Sequence, residues 1–594
     1  MNPAPLGHPH PPLAESASER LLSRFSWGAL RRHLGQRLLR RRRGRLSWLA
    51  LGALALIPLV YVLLRTADAR RDIVYGEEFD TALAFVVRLK EGMPPAEFLR
   101  ELVAVKDEHR TATGRLVYAA SYWLTGTINF AIIDWIAIGS ILATCGLLLF
   151  EAGSALRRVR LAVLLSLLLF QLEHYENYLW PGTSLENFQV LLFASAALQA
   201  VARGRVLLGA VFGVLASFTL AHGLMVWPVG AALLWRSSHR RRLPAWVATA
   251  AVTCGAFFHG FAFSSGQAFP DPSWEGALRF CDYWLSLLGA VPALGHEALE
   301  PFFGAAFLGA FGFAVARGAV RRDPFLTALA AYAAAAAAML AFGRAELSGG
   351  EVISRYFVLS ALAWALVLFL LVERHSHPRR PLQFLVSLLP GLIAFNVVAN
   401  REFLDETEAW IEARDRAATR FKQHGEDGRG PFTLHPDPQH ATQLLQRAEA
   451  LGVYRLGPIC RRLPFPARAE VSTRLAYFVD ELTVNARSVF IRGWAALPGL
   501  PSERGQIHLV LRSATGAVHL FTTVGTTRPD VAKATGQPGW EQSGFRFARR
   551  RDRLPVGEYQ IGLLTTGGGR PEYLLTAHRV RLVGDGEALL ATGK

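Results

Sequence analysis

Glu77-Glu78-Phe79-Asp80 and Asp107-Glu108-His109-Arg110 are two charged clusters separated by an amphipathic run from Thr81 to Val105. Both lie in a polar stretch from Arg65 to Phe130, immediately after an apolar run at 46–64. The rest of the chain keeps returning to apolar runs of roughly 16–20 residues, and about 20 residues at 1.5 Å rise cross ~30 Å of hydrocarbon. Charge this dense between membrane spans needs a reason. We read the stretch as a large outer loop carrying a reaction site at the membrane surface.

Working outward, further spans are expected at 131–150, 159–176, 185–203, 206–221, 223–236, 244–262, 300–317, 323–343, 354–373 and 381–399, which with the first makes about eleven. The loops between alternate spans carry Arg157, Arg158 and Arg160; Arg203 and Arg205; Arg236 and Arg240 to Arg242; Arg317, Arg321 and Arg322; Arg374, Arg379 and Arg380. Basic residues mark cytoplasmic loops, so this alternation places the N-terminus in the cytoplasm. It also places 65–130, 177–184, the turn at His222-Gly223, 263–299, 344–353 and everything after 399 outside. The basic tail at 1–45 reads as a topology signal beside an uncleaved first span rather than as part of a signal peptide.

The 594 residues are 51% apolar with a formal charge of +17. A charge of that size can indicate a nucleic-acid partner, but these arginines sit at the ends of apolar runs, which rejects that reading. Four cysteines are too few for a disulfide framework, and a Cys281–Cys460 bridge is the most that could form outside. After the spans, 401–465 reads as helix, breaker-rich linker and helix outside the membrane. From 466 to 594 the period changes to two, with strands at Ser488 to Trp494, Ile507 to Leu511, Val518 to Val524 and Tyr559 to Leu564. Short strands punctuated by Thr515-Gly516 and Gly567-Gly568-Gly569 suggest a small β-sandwich. The fold class expected is therefore mainly α: a polytopic helical membrane domain at 46–400 with a C-terminal extracytoplasmic sandwich.

Two more polar clusters fall at the outer ends of spans. One is Glu173-His174-Tyr175-Glu176-Asn177 with Trp180, and the other runs from Glu346 to Glu351 into Ser354-Arg355-Tyr356. Ionisable residues at membrane depth are costly and by default mark a site or pathway. Packing and snorkelling explain some such residues, and His222 in Ala221-His222-Gly223 reads as a packing residue. A carboxylate can take the proton from an attacking hydroxyl. A second carboxylate or a histidine can orient it or hold a divalent cation such as Mg or Mn. Arginine offers a planar fork to a phosphate leaving group. Glu77, Glu78, Asp80, Glu108 and His109 are the candidate catalytic residues. Arg110, His174, Glu176, Asn177, Trp180, Arg355 and Tyr356 are the candidate substrate contacts.

With Asp-Glu-His-Arg at 107–110, His-Tyr-Glu-Asn-Tyr-Leu-Trp at 174–180 and His-Gly-Leu-Met-Val-Trp-Pro at 222–228, residues 46–400 resemble the GT-C superfamily of polytopic glycosyltransferases, and within it a group of bacterial membrane proteins. The resemblance implies transfer of a sugar from a polyprenyl-phosphate donor to an extracytoplasmic glycan or lipid acceptor, with inversion, at a bacterial inner membrane. It implies that the first acidic cluster supplies the base and that Arg355 contacts the phosphate. The cluster reads Glu-Glu-Phe-Asp rather than the adjacent acids common in the superfamily, so the base stays open among three carboxylates. The alternative is a lipid-linked-glycan transporter or assembly protein without catalysis. Transporters carry internal repeats with substrate groups near the midplane, and none is visible here. A third reading, a sensor or scaffold whose sandwich binds a partner, leaves the acids unexplained.

Overall fold

The computed structural model describes residues 51–67, 69–105, 109–261, 271–346, 351–374, 380–424, 433–456, 462–463, 465–466, 469–484, 488–500, 502, 507–550, 554–566 and 570–582. The chain enters through α1 (Leu51–Ala67). The outer stretch folds as a π-helical turn (Phe79–Leu83) followed by α2 (Ala84–Lys90), α3 (Pro95–Leu102) and α4 (Ala112–Thr125). The bundle continues with α5 (Phe130–Glu151), α6 (Ala155–Leu169), α7 (Glu176–Leu179), α8 (Pro181–Ala202), α9 (Val206–Ser217), α10 (Val226–Trp235) and α11 (Leu243–Phe258). It is completed by α12 (Trp274–Ala293), α13 (Glu300–Ala316), α14 (Ala319–Arg322), α15 (Pro324–Arg344), α16 (Phe357–Val372) and α17 (Arg380–Glu402).

Local chemistry explains several starts. The Asn129 side chain accepts from Ile132 N at 3.0 Å and opens α5, Ser154 caps α6, and Pro181 stands in the first turn of α8, where its missing N–H costs nothing. Among the described residues, six helices are long and apolar enough to cross a membrane: α5, α8, α13 with its 3₁₀ lead, α15, α16 with its own, and α17 running on to Asp415. Three shorter apolar helices cover 51–67, 206–217 and 221–235.

The expected span at 159–176 stops at Leu169, because Phe170 leaves helical geometry and Gln171 caps a 3₁₀ turn at Leu172–His174. The segment 263–299, expected as an outer connection, holds the 20-residue helix α12. Glu275, Arg279 and Asp282 had masked that helix as polar loop. It packs so closely on α13 that a Cβ on Gly289 would lie 1.9 Å from the Glu300 carbonyl oxygen.

The expected helical linker at 401–465 is part of the main body. The helices α18 (Leu404–His424) and α19 (Pro438–Ala450) share one buried cluster with the bundle through Ile411, Phe421, Leu445 and Tyr454. Gly76 N donates to Leu434 O at 2.8 Å and Ile128 N to Val453 O at 2.8 Å. The Tyr454 hydroxyl donates to Asp72 O at 3.0 Å and accepts from Val74 N at 3.1 Å. A buried Arg414 guanidinium donates to Leu179 O at 2.6 Å. The outer stretch and the segment after the last bundle helix are therefore one packed layer. At the other end of the bundle, Arg157 meets Asp323, Arg160 meets Glu373 at 2.5 Å, and Arg203 meets Glu151 at 2.5 Å.

Ten strands follow: β1 (Arg462–Leu463), β2 (Glu470–Val471), β3 (Ala476–Val484), β4 (Ser488–Ala496), β5 (Ile507–Ser513), β6 (Val518–Thr522), β7 (Val524–Thr526), β8 (Gly544–Arg550), β9 (Gly557–Thr565) and β10 (Glu572–Leu582), with α20 (Pro529–Thr535) between β7 and β8. They form a six-stranded sheet ordered β1-β6-β5-β9-β10-β2 and a four-stranded sheet ordered β3-β4-β8-β7. Ile491 and Phe547 of the smaller sheet share one buried cluster with Leu509, Ile561 and Leu563 of the larger. The expected strand at 518–524 is broken at Thr523, whose hydroxyl turns back to the Ile507 carbonyl, and its two pieces serve different sheets.

Candidate functional site

The first acidic cluster occupies a tight turn. Gly76 has φ +58°, and a Cβ there would lie 2.6 Å from the Trp180 ring. Only glycine lets the backbone take this conformation while lying on the indole. The next residues enter helical geometry and fan their carboxylates apart. Glu78 turns inward: Oε1 accepts from Gly182 N at 2.5 Å and Oε2 from Tyr75 N at 2.8 Å. It is only 1% exposed, and burial pushes its carboxyl up to about 8 despite those two donors. Asp80 turns the other way, to His435 Nε2 at 3.3 Å and His440 Nε2 at 3.0 Å.

Glu77 lines a narrow cleft of about 30 Å³. His109 enters it from just before α4. Its neighbour Arg110 is spent on structure, donating to Phe257 O at 2.7 Å and to the Val103 and His259 carbonyls. Burial, with Arg344, His222 and Arg355 nearby, lowers the His109 imidazole to about 3, so it is neutral. Thr183, Glu186 and Asn187 enter from one face of α8, spaced three and four residues apart. His222 enters from the 3₁₀ turn at Ala221–Met225, with Nδ1 3.3 Å from the Tyr332 hydroxyl. Leu340 and Arg344 come from one face at the end of α15, and Arg355 and Tyr356 from the 3₁₀ turn before α16.

Other sequence-derived candidates hold Arg355 in place from behind. Glu176 Oε2 accepts from Ser354 Oγ at 2.7 Å and Arg355 N at 3.1 Å. Asn177 Nδ2 donates to Arg355 O at 2.7 Å, while its Oδ1 accepts from Asn187 Nδ2 at 3.0 Å. The Trp180 and Tyr356 rings lie 5.3 Å and 5.5 Å from the guanidinium carbon, within cation–π range. The charges of Glu77 and Glu176 both act on Arg355, and those of Glu77 and Arg355 on Glu186.

The structure thus brings Glu77, His109, Arg355 and Tyr356 to one cleft and puts Glu176, Asn177 and Trp180 directly behind it. Glu78, Asp80 and Arg110 point elsewhere. His174 is buried against Tyr178, ring centroids 5.1 Å apart, and does not line the cleft. Asp107 and Glu108 lie outside the described residues, as does Cys460, the partner considered for Cys281.

Sequence reasoning missed Thr183, Glu186, Asn187 and Arg344, and read His222 as packing alone. One signal was available. Glu186 is an acid inside an apolar run, which by itself suggests a site. Among the described residues, no group of three or more His, Cys, Asp or Glu side chains is placed to hold a metal ion. The cleft sets its two carboxyl groups and two imidazoles beside two guanidinium groups, whose positive charge opposes a divalent cation there. Compared with known protein families, curated proteins and solved structures, the chain matches none.

Proposed function

We propose that this chain is an integral-membrane glycosyltransferase of GT-C type, which moves a sugar from a polyprenyl-phosphate donor to an extracytoplasmic glycan or lipid acceptor. The observation that carries the reading is the cleft itself. Glu77 and Glu186 face Arg344 and Arg355 in one small space at the loop end of an apolar helical bundle. Arg344 and Arg355 receive the phosphate, and Arg355 is held rigid for that task by Glu176 and Asn177. Glu77 takes the proton as the acceptor oxygen bonds to the anomeric carbon. The bond from that carbon to the phosphate oxygen breaks, and the polyprenyl phosphate leaves as an anion with its charge met by the arginines. Attack opposite the leaving group inverts the anomeric centre.

The packing supports the expected topology. Residues 433–456 lie on the stretch 72–128, so both stand on one side and an even number of crossings separates them. The ten spans expected between 131 and 399 satisfy that parity, whereas α12 as an additional crossing does not. The basic ends gathered around Glu373, Asp323 and Glu151 fit the cytoplasmic side of a bacterial inner membrane. The two sheets with their common core are read as a periplasmic sandwich.

The test uses the purified full chain in lipid nanodiscs with labelled polyprenyl-phosphate sugars and a membrane glycan extract as acceptor. Transfer by the wild type and its loss in Glu77→Gln support the reading. No transfer with any phosphate-linked donor overturns it, and donor flux across sealed vesicles under the same conditions would establish the transporter alternative.

A further inference from the structure

The transferase reading leaves two imidazoles of the cleft without a task. His222 is 3% exposed, and its Nε2 has no hydrogen-bond partner among the described residues. The Nδ1 of His109 is likewise buried without one. Unpaired polar atoms in a protein interior are rare and costly, so they call for a ligand or a water. Whichever way the proton lies between the Tyr332 hydroxyl and His222 Nδ1, Nε2 is left to the cleft as a donor or an acceptor. His109 stays neutral between two arginines and therefore offers one donor and one acceptor.

A neutral imidazole with one of each matches a hydroxyl, which also donates and accepts. The other walls suit a sugar ring. Thr183 adds a hydroxyl group and Leu220 and Leu340 an apolar surface for the C–H face. The charge balance is specific as well. Two carboxyl groups share the cleft with two guanidinium groups, and the donor's phosphate adds one negative charge. A carboxylate on the sugar would be a further anion, and among the described residues no third cation lines the cleft, in an interior where unpaired charge is expensive.

We propose that His109 and His222 read the hydroxyls of the transferred sugar, so that the cleft accepts a phosphate-linked neutral sugar and rejects a uronic acid. This inference rests on the transferase reading and names its substrate class.

The experiment measures binding of short-chain prenyl-phosphate glucose, galactose and mannose, and of the three matching uronates, to the full chain in nanodiscs. At least one neutral donor is expected to bind ~10-fold or more tightly than its uronate. His222→Leu should weaken the neutral donor by ~10-fold and leave the weak uronate binding unchanged, while His222→Asn, which restores a polar atom, recovers most of the loss. His109→Leu should act in the same way, and it supplies the test if the His222 variants fail to fold. Equal binding of neutral sugar and uronate, or unchanged selectivity in a folded leucine variant, overturns the inference and leaves the transferase reading standing. Binding of none of the six donors overturns the transferase reading itself.

Discussion

Replacing Glu78 by glutamine separates a structural acid from a catalytic one, and the size of the effect follows from two hydrogen bonds and one titration. Both carboxylate oxygens are in use, one accepting from Gly182 N and the other from Tyr75 N. Glutamine keeps a single acceptor and turns its NH₂ toward the second donor. One buried N–H is stranded, at a cost of ~1–3 kcal/mol. Against this, the native carboxyl is itself a burden above acid pH. Burial raises it from 4.5 to about 8 in the folded state. Its contribution to stability is thus fully present below pH 4.5 and is lost as pH rises through about 8. Within that window the loss is at most ~1.4 kcal/mol per pH unit.

The two effects oppose each other, and their balance changes with pH. Glu78→Gln should unfold at a lower temperature than wild type near pH 5. The gap should close, and then reverse, as pH approaches 8, because only the wild type carries the titrating group. Scanning fluorimetry in detergent across this range reads the crossing. Glu77→Gln should show no such crossing, yet transfer should fall by ~10²–10⁴-fold, the usual contribution of a general base. Parallel pH profiles for wild type and Glu78→Gln would refute the buried-carboxyl argument. Loss of transfer in Glu78→Gln at unchanged stability would move the base from Glu77 to Glu78.

Other expectations follow from the same contacts. A Cβ on Gly182 would lie 2.8 Å from Glu78 Cγ and 3.3 Å from the Tyr118 hydroxyl, so Gly182→Ala should cost ~1–3 kcal/mol by overpacking, read as a lower thermal midpoint that Glu78→Ala partly restores. Arg355→Lys keeps charge but loses the planar fork, and donor affinity should fall ~10–100-fold while transfer at saturating donor stays close to wild type. His435 is raised above its usual 6.5, first by its hydrogen bond to Asp80. Its hold on the packed layer should therefore be complete below pH 6.5 and weaken as pH rises through the raised value, seen as a fall in the hydrogen-exchange protection factors of α19 that His435→Gln abolishes.

Much of the architecture could be read from composition because it follows from short-range pattern. Apolar runs, basic loop ends and period-two strands are local signals, and the helices at 130–151, 181–202, 324–344 and 357–372 fall close to where the runs place them. The clustering of polar residues at one end of the bundle was legible in the same way. What local pattern could not carry was long-range partnership. Helix α12 hides behind Glu275, Arg279 and Asp282, although Arg279 finds Glu346 at 3.0 Å across 67 residues. The segment after 401 reads as a linker until Tyr454 is seen bonding to residues 72 and 74. Glu186 disappears into an apolar run, because hydropathy averages over a window while a site depends on single residues.

The first acidic cluster shows why its base could not be chosen from sequence. Neighbouring residues of a helical turn point to different sides of it, so Glu77 and Glu78 cannot face one partner. Which direction each takes depends on rotation of the turn as a whole. That rotation is set from outside: Gly76 against Trp180, Gly182 accepting the approach of Glu78, and His435 and His440 meeting Asp80 from more than 350 residues away. With Glu78 fixed inward and Asp80 fixed toward the outer helices, the remaining direction is the cleft, and Glu77 occupies it. The same contacts bind the bundle, the outer stretch and the segment after α17 around one turn. On the proposed transferase reading, a base held this way cannot drift from its partners unless one of three interfaces opens, a rigidity suited to a carboxylate that meets an acceptor hydroxyl at hydrogen-bond distance.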